Sequence, residues 1–350
     1  MKNHLLMMIG VVSLLTATHY LQAQSIPVVK LPRQSQRAIV GQTIGITDIT
    51  IRYHRPAIRG RKLHQNNIAP LGKLWRAGAN ENTVIEFTHP VKVEDQALPA
   101  GKYGLHMIPN KEEWTLVFSK NYRSWGSYYY KKEEDALRVT VKPTQGPAQE
   151  WLTYSFSKVA KNSTVVTMQW ATTQISFKIA VDVNQVVVAN LQDEMRGLSG
   201  YYWQGPYLAA RFCNINNCNL KEAIQWANRS IGIKQTFQNL LVKSQLLKKT
   251  DQPKESIKFK EQAFKIATEQ DLVQYGYNLG QEVTNQERNE HFAYIVKRFN
   301  TWTAYQAQGV VFRYFGEKNN AIKSFENALK RAPQTQKARL EKAITNLKKN

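Results

Sequence analysis

Two hydrophobic rhythms run along the chain, and the change from one to the other falls near Asp182. From Ala38 to Val181 apolar and polar positions alternate with a period of two. Ile49, Ile51 and Tyr53 alternate with Thr50, Arg52 and His54, and Tyr103, Leu105 and Met107 alternate with Gly104, His106 and Ile108. The same device returns in Trp114-Leu116-Phe118, Leu137-Val139-Val141, Leu152-Tyr154-Phe156, Val166-Met168-Trp170 and Ile175-Phe177-Ile179-Val181. Such runs, rich in β-branched and aromatic residues and divided by turn signals such as Leu98-Pro99-Ala100-Gly101, read as strands with one buried face. No helical stretch of useful length interrupts them. Eight to ten short strands without crossovers predict an antiparallel β-sandwich over residues 36–182.

Past Val183 the period becomes that of helices. Residues 183–205 read as a linker helix ending in a Gly200–Pro206 break, and 206–350 as a set of helical hairpins. Leu220-Lys-Glu-Ala-Ile224 returns as Pro253-Lys-Glu-Ser-Ile257, a shift of 33, and Asn320-Ala-Ile322 lies about twice that distance further on, leaving a degenerate unit around 270–300. Gly309, Phe312, Gly316, Ala321, Phe325, Ala328 and Pro333 fall at the spacings of a tetratricopeptide helix–turn–helix unit, which this part of the chain resembles. Lys260 stands where that pattern expects an aromatic. The expected fold class is therefore β + α, an antiparallel β-sandwich followed by a tetratricopeptide-like α-solenoid. Such a solenoid presents a concave face suited to a protein partner, with Lys243, Lys249 and Arg313 as candidate groove cations. The competing reading is that the helices only brace the β domain or dimerise.

Composition adds a compartment. Lys2 and His4 precede an apolar run from Leu5 to Leu15, and small Ala23 marks a cut: residues 1–23 read as a signal peptide and 24–35 as an N-terminal arm. The run is shorter than the roughly 20 residues of a spanning helix, so the mature chain is expected to be exported, periplasmic or extracellular, with no transmembrane anchor. The formal charge of +22 is shared between 24 basic and 14 acidic residues through Gly205 and 24 and 12 after it. No basic arm stands apart, so nucleic acid is not the expected partner. In an oxidising compartment Cys213 and Cys218 are close enough to pair; free thiols at a helix end are the alternative.

The densest chemistry lies in 44–87. Arg52, Arg55, Arg61, Lys62 and Arg76 gather there around Trp75, Asn80 and Glu81, in a long excursion that Pro56 opens. Long excursions of this kind often carry function. Guanidinium forks suit carboxylate, phosphate or sulfate, and Trp75 offers a face on which a sugar ring can stack, so these residues with His106 form the candidate site for an anionic or glycan-type ligand. The structural alternative pairs Arg76 with Glu81, makes Gly78 a turn and lets Trp75 plug the sandwich.

The pieces TDITIRYHRPAIRGRK, PLGKLWRAGANENTVIEF, LPAGKYGLHMIP and WTLVFSKN, with Trp125-Gly126 and LRVTVKP, resemble a secreted family known only as a domain of unknown function. The resemblance implies a β-sandwich and carries no activity with it. No HExxH, glycine-framed nucleophile or phosphate-cradling loop occurs, and neither a metal nor a cofactor is expected. The leading expectation is an exported, non-enzymatic binding or assembly protein of the cell envelope. The alternative is a carbohydrate-active or other hydrolase that uses Glu81, His106 and the arginine loop.

Overall fold

The computed structural model describes residues 31–64, 68–279 and 283–349. The expected signal segment and most of the arm lie outside the described residues.

Ten antiparallel strands come first: β1 (Gln36–Ile44), β2 (Thr47–Arg55), β3 (Thr83–Phe87), β4 (Val91–Val93), β5 (Gln96–Leu98), β6 (Gly101–Ile108), β7 (Trp114–Ser119), β8 (Asp135–Val141), β9 (Thr144–Ser157) and β10 (Ser163–Ala180). They form two sheets, in the orders β1-β2-β3-β6-β7-β8 and β5-β4-β10-β9. The alternation read from the sequence is the alternation of burial. In β2, Ile49, Ile51 and Tyr53 are buried while Thr50, Arg52 and His54 lie on the other face. The inner faces meet in one core that includes Trp114, Trp170, Phe87, Phe118 and Phe177. Each such side chain removed from water stabilises the fold by about 1.5–3 kcal/mol.

The β1–β2 hairpin turns on Gly45 and Ile46, with Gly45 at φ 62°. A two-residue turn fixes the register, which sets Arg37 opposite His54 and Ile39 opposite Arg52.

After β10, Asp182 caps α1 (Val183–Glu194) by accepting from the Gln185 backbone N–H at 3.0 Å. This helix joins the two halves, since Val186 packs into the β core and Val188 and Leu191 pack with Met195 and Ala209 of the helical part. Four hairpins follow: α2 (Gln204–Asn216) with α3 (Leu220–Ile233), α4 (Phe237–Lys249) with α5 (Pro253–Ile266), α6 (Glu269–Tyr277) with α7 (Asn285–Phe299), and α8 (Trp302–Tyr314) with α9 (Lys318–Arg331). A last helix, α10 (Gln334–Lys349), closes the stack. The first helices begin at Gln204, Phe237, Glu269 and Trp302, spaced 33, 32 and 33 residues apart. That spacing, with helix–turn–helix units packed in series, makes the second half a tetratricopeptide-like solenoid.

The repeat is visible at single positions. Ala223, Ser256 and Ala321 are the buried small residues that open the second helix of hairpins one, two and four. In hairpin three the equivalent position is Arg288, 6% exposed, its guanidinium lying 4.3 Å from the Phe315 ring centroid. That substitution is the degeneracy of the 270–300 unit. In the first helix of hairpin four, Gly309 lets Phe325 lie against it; a Cβ there would come within 2.9 Å of the ring. Lys260 occupies the matching aromatic position of hairpin two and is exposed, while neighbouring Phe259 packs inward in its place.

Candidate functional site

The excursion from Pro56 to Asn82 is fastened to the sandwich almost everywhere it carries an unusual residue. Arg55, at the end of β2, donates from Nε to the Leu152 carbonyl at 2.9 Å and from Nη2 to Thr153 Oγ1 at 2.7 Å. Arg61 donates to the Ile58 and Ala57 carbonyls at 2.9 and 2.6 Å, closing its own turn. Trp75 exchanges two backbone hydrogen bonds of 2.8 Å with Met107. Its ring stacks on Trp170 at 5.9 Å and meets Trp114 edge-on at 6.4 Å. Arg76 donates to the Asn80 carbonyl and lies 5.3 Å from the Tyr128 ring centroid. The buried Ala77 carbonyl accepts from both Thr83 Oγ1 and Tyr154 Oη, at 3.0 and 2.9 Å. Gly78 is required there, because a Cβ would sit 2.6 Å from Thr83 Oγ1. Asn80, in the left-handed region at φ 58°, donates to the Ser35 carbonyl.

Of the residues expected to bind a ligand, the structure brings Arg61, Trp75, Arg76 and Asn80 together around a depression of about 350 Å³, with Arg59 and Trp170. Each guanidinium facing it already has a partner: Arg61 and Arg76 donate to backbone carbonyls, and Arg59 donates to Gln34 at 3.3 Å. Lys62 is exposed and Arg55 lies outside this depression.

Arg52 and Glu81 fall into a different depression, about 680 Å³, on the outward face of the six-stranded sheet where β1, β2 and β3 adjoin. Its lining includes Arg33, Arg37, Arg52, His54, Glu81 and Asn82. Arg33 Nη1 holds Glu81 Oε1 at 2.6 Å, Arg52 lies 3.3 Å from Glu86, and Lys102 lies 3.5 Å from the same carboxylate. The pairing of Arg76 with Glu81 that the structural alternative offered does not occur, since Glu81 turns to Arg33 and His54. His54 Nδ1 approaches Glu81 Oε2 at 3.4 Å, but the two are not aligned as a hydrogen bond, and neither atom has another partner among the described residues. Burial pushes His54 below its ordinary pKa, helped by the charges of Arg33 and Arg37 and opposed by Glu81. Burial pushes the Glu81 carboxyl up, yet the hydrogen bond from Arg33 and the charges beside it prevail and hold it low. Asn82 is 6% exposed; its Nδ2 donates to Ser124 Oγ at 2.9 Å and the Asn121 carbonyl at 3.3 Å, while its Oδ1 is buried without a partner among the described residues.

His106 lies apart from both depressions, on β6 under residues 120–134. It is 1% exposed, its Nδ1 is 3.2 Å from Ser127 Oγ, and its ring meets Tyr130 edge-on. Burial lowers its pKa to about 4, against a raising effect of Asp135 and a further lowering by Arg76. Tyr130 and Arg138 both donate to Asp135 Oδ2, at 2.7 and 2.6 Å. The residues named for hydrolysis are therefore divided: Glu81 lies in one depression, Arg76 in the other and His106 in neither. Among the described residues no group of His, Cys, Asp and Glu side chains is arranged to hold a metal.

In the helical half, the first helices of hairpins one to three line a single trough of about 600 Å³. Six of its lining residues are amides: Asn214 (α2), Gln238 and Gln245 (α4), Gln270 and Gln274 (α6), and Asn278, which caps the C-terminus of α6. Asn214 Nδ2 donates to Gln245 at 2.7 Å and Gln238 to Asp271 at 2.8 Å, so each bond ties one hairpin to the next. Asn214 Oδ1 is buried without a partner among the described residues. The trough's neighbour, lined by α6, α8 and Arg339, continues the same surface. The cations expected in the groove are elsewhere. Lys243 lies over the Phe259 ring at 3.6 Å, Lys249 donates to the Asn214 carbonyl, and Arg313 is exposed outside the trough. Sequence reasoning passed over these amides because Asn and Gln are common on any helix. A capping threonine stands before α4, α6 and α8 (Thr236, Thr268, Thr301), but also before α7 (Thr284), so it marks helix starts without separating first helices from second.

Cys213 and Cys218 are unlinked, the first buried, with its thiol pushed up to about 12 by burial and by Cys218. Among the described residues no helix is long and apolar enough to cross a membrane.

The molecule is thus an antiparallel β-sandwich followed by a tetratricopeptide-like helical stack. Residues 35–179 match the family described as "Protein of unknown function (DUF2911)", which bears out the resemblance of the β half. Comparison with curated proteins returned no match. Among solved structures, the helical part is similar to YrrB, described as a TPR protein with an unusual peptide-binding site, at 18% identity and a TM-score of 0.26, covering 45% of this chain and 83% of that one. It is also similar to the Cut9–Hcn1 hetero-tetramer of APC/C, at 16% identity and a TM-score of 0.26, covering 40% of this chain and 27% of that one. Likenesses this distant add nothing to the helix spacing, which establishes the repeat by itself.

Proposed function

We propose that this chain is an exported, non-enzymatic binding protein whose helical repeats hold an extended segment of a protein partner. The observation that carries this reading is the amide-lined trough spanning three successive hairpins. Carboxamides both donate and accept, as a peptide main chain does, and Asn214 Oδ1 stands buried without a donor. A partner's backbone N–H supplies one, and leaving that acceptor unmade costs about 1–3 kcal/mol. Main-chain recognition of this kind tolerates varied side chains, as suits an assembly factor.

The β domain, in the same reading, binds an anionic or glycan-type ligand, supported by the cations grouped on its outward face. Export is supported by the basic, apolar and small-residue order of residues 1–23, and N-terminal sequencing of the protein from fractionated cells tests it. A hydrolytic site finds no support in the divided positions of Glu81, His106 and Arg76.

For the trough, an array of unstructured peptides is screened with the full-length protein, and the peptides that bind are remade with N-methylated backbones. The expected result is at least a tenfold loss on methylation and a similar loss in the Gln238→Ala, Gln245→Ala, Gln274→Ala triple variant. Binding indifferent to both changes sinks the reading.

A further inference from the structure

The sandwich offers two depressions rimmed with arginine, and they differ in what their polar atoms have left to give. Around the one floored by Trp75 and Trp170, the guanidinium groups of Arg59, Arg61 and Arg76 donate to Gln34, to backbone carbonyls of their own turns and to Asn80. On the outward face of the six-stranded sheet the balance is reversed. The four cations Arg33, Arg37, Arg52 and Lys102 face two carboxylates, Glu81 and Glu86. Arg37, opposite His54 in the β1–β2 ladder, has no hydrogen-bond or ion-pair partner among the described residues. The floor carries acceptors as well as charge. Asn82 Oδ1 is buried and unpartnered, and its orientation is fixed because both Nδ2 hydrogens have acceptors in Ser124 and Asn121. Glu81 Oε2 likewise lacks an aligned donor. At the rim, Arg33 lies 6.0 Å from the ring centroid of Trp125, which is 47% exposed.

An uncompensated guanidinium fork suits an anionic group, and buried carbonyl and carboxylate oxygens suit hydroxyl donors. A plain carboxylate satisfies only the first and a neutral sugar only the second, while inorganic phosphate carries its hydroxyls on the charged centre itself. The volume of about 680 Å³ falls within the usual range of small-molecule sites, about 300–1,000 Å³. We infer that this depression, lined by Arg37, Arg52, Asn82 and Glu81, is the ligand site of the β domain, and that it takes a sugar bearing a phosphate or carboxylate. The inference rests on the reading that the β domain binds an anionic or glycan-type ligand, and it names both the place and the class. Arg37 and Arg52 take the anionic group, Asn82 Oδ1 and Glu81 Oε2 accept from ring hydroxyls, and Trp125 offers an apolar face beside Arg33.

Calorimetric titration of the full-length protein with glucose 6-phosphate, glucuronate, glucose and inorganic phosphate tests it. At least one charged sugar binds ten times more tightly, or better, than both glucose and inorganic phosphate. Arg37→Ala weakens that binding at least tenfold, Arg37→Lys restores part of it, and Arg59→Ala at the other depression leaves it unchanged. Arg37 is exposed, so its replacement leaves the fold in place, as circular dichroism of the variant verifies. Equal affinity for inorganic phosphate and the sugar phosphate overturns the assigned class. Binding lost in Arg59→Ala but kept in Arg37→Ala overturns the assigned place while the broader ligand reading stands. If neither charged sugar binds, and an acidic oligosaccharide such as a polygalacturonate fragment does not bind either, both fail together.

Discussion

The arginine-rich excursion of the β-sandwich and the amide-lined trough of the solenoid use polar side chains in opposite ways. In the excursion, conspicuous residues hold the fold: Arg55 and Arg61 bond carbonyls, Trp75 fills the core beside Trp170, and Arg76 bonds the Asn80 carbonyl. In the trough, ordinary residues such as Gln270 and Gln274 face an open groove. A long loop must satisfy many backbone groups, and arginine with five donors does so efficiently. Helices satisfy their own backbone, which releases their surface side chains for a partner. Chemical density in a sequence can therefore mark scaffolding, while an open groove is lined by common residues.

Removing the tryptophan from the excursion breaks this contrast most severely. Trp75→Ala takes a buried ring out of a three-tryptophan contact and is expected to cost about 3–5 kcal/mol, lowering the urea midpoint with little change in slope. Lys62→Ala, in the same stretch but exposed, is expected to stay within about 0.5 kcal/mol of the parent. A Trp75→Ala protein as stable as the parent removes the scaffolding account of the excursion.

Acid sharpens the same point through His106. The buried ring is neutral in the fold with a pKa of about 4, against an ordinary value of 6.5 in the unfolded chain. Protonation thus favours unfolding, so the stability held by the neutral ring is complete above pH 6.5 and lost as the pH falls toward 4. Between pH 7 and pH 5 the loss is expected to be about 2 kcal/mol. His106→Gln, which keeps a polar side chain near Ser127 but does not titrate, flattens that part of the stability profile. An unchanged profile in His106→Gln assigns the acid sensitivity to another group.

The architecture was legible wherever burial alone decides residue type. Period two in Ile49-Ile51-Tyr53 reported one buried sheet face, and the recurrence of Ala223, Ser256 and Ala321 reported helix pairs in close approach. The third hairpin was faint because Arg288 replaces the small residue and finds room against Phe315. The depression on the outward sheet face was harder to see. Arg37 and His54 are 17 positions apart, and only the Gly45 turn sets them side by side. Asn82 becomes significant only when residues 121–124 fold over it. Neither fact has a local signature, so arginines adjacent in sequence stand out while those assembled across strands do not.

Gly309→Ala probes the repeat itself. The added methyl meets Phe325 at 2.9 Å, an overpacking that costs about 1–3 kcal/mol, while alanine returns about 1 kcal/mol of helix propensity. The net loss is expected to be about 0–2 kcal/mol, and a second change of Phe325→Leu relieves part of it. Gains or losses that simply add in the double variant place the ring elsewhere.

The smallest expected effect carries the comparison furthest. Gln270→Ala with Gln274→Ala removes two carboxamides from the trough wall, where Gln270 is exposed and the Gln274 side chain bonds, among the described residues, the nearby Asn278 at 3.3 Å. Neither supports the helix pairing, and alanine is the better helix former, so the thermal midpoint is expected to stay within a few degrees. The contrast with Trp75 is then complete, because a pair of trough residues can be lost without cost to the fold while a single excursion residue cannot. If the double variant instead unfolds as readily as Trp75→Ala, the amides brace the hairpins, and the trough loses its claim to be kept for a partner.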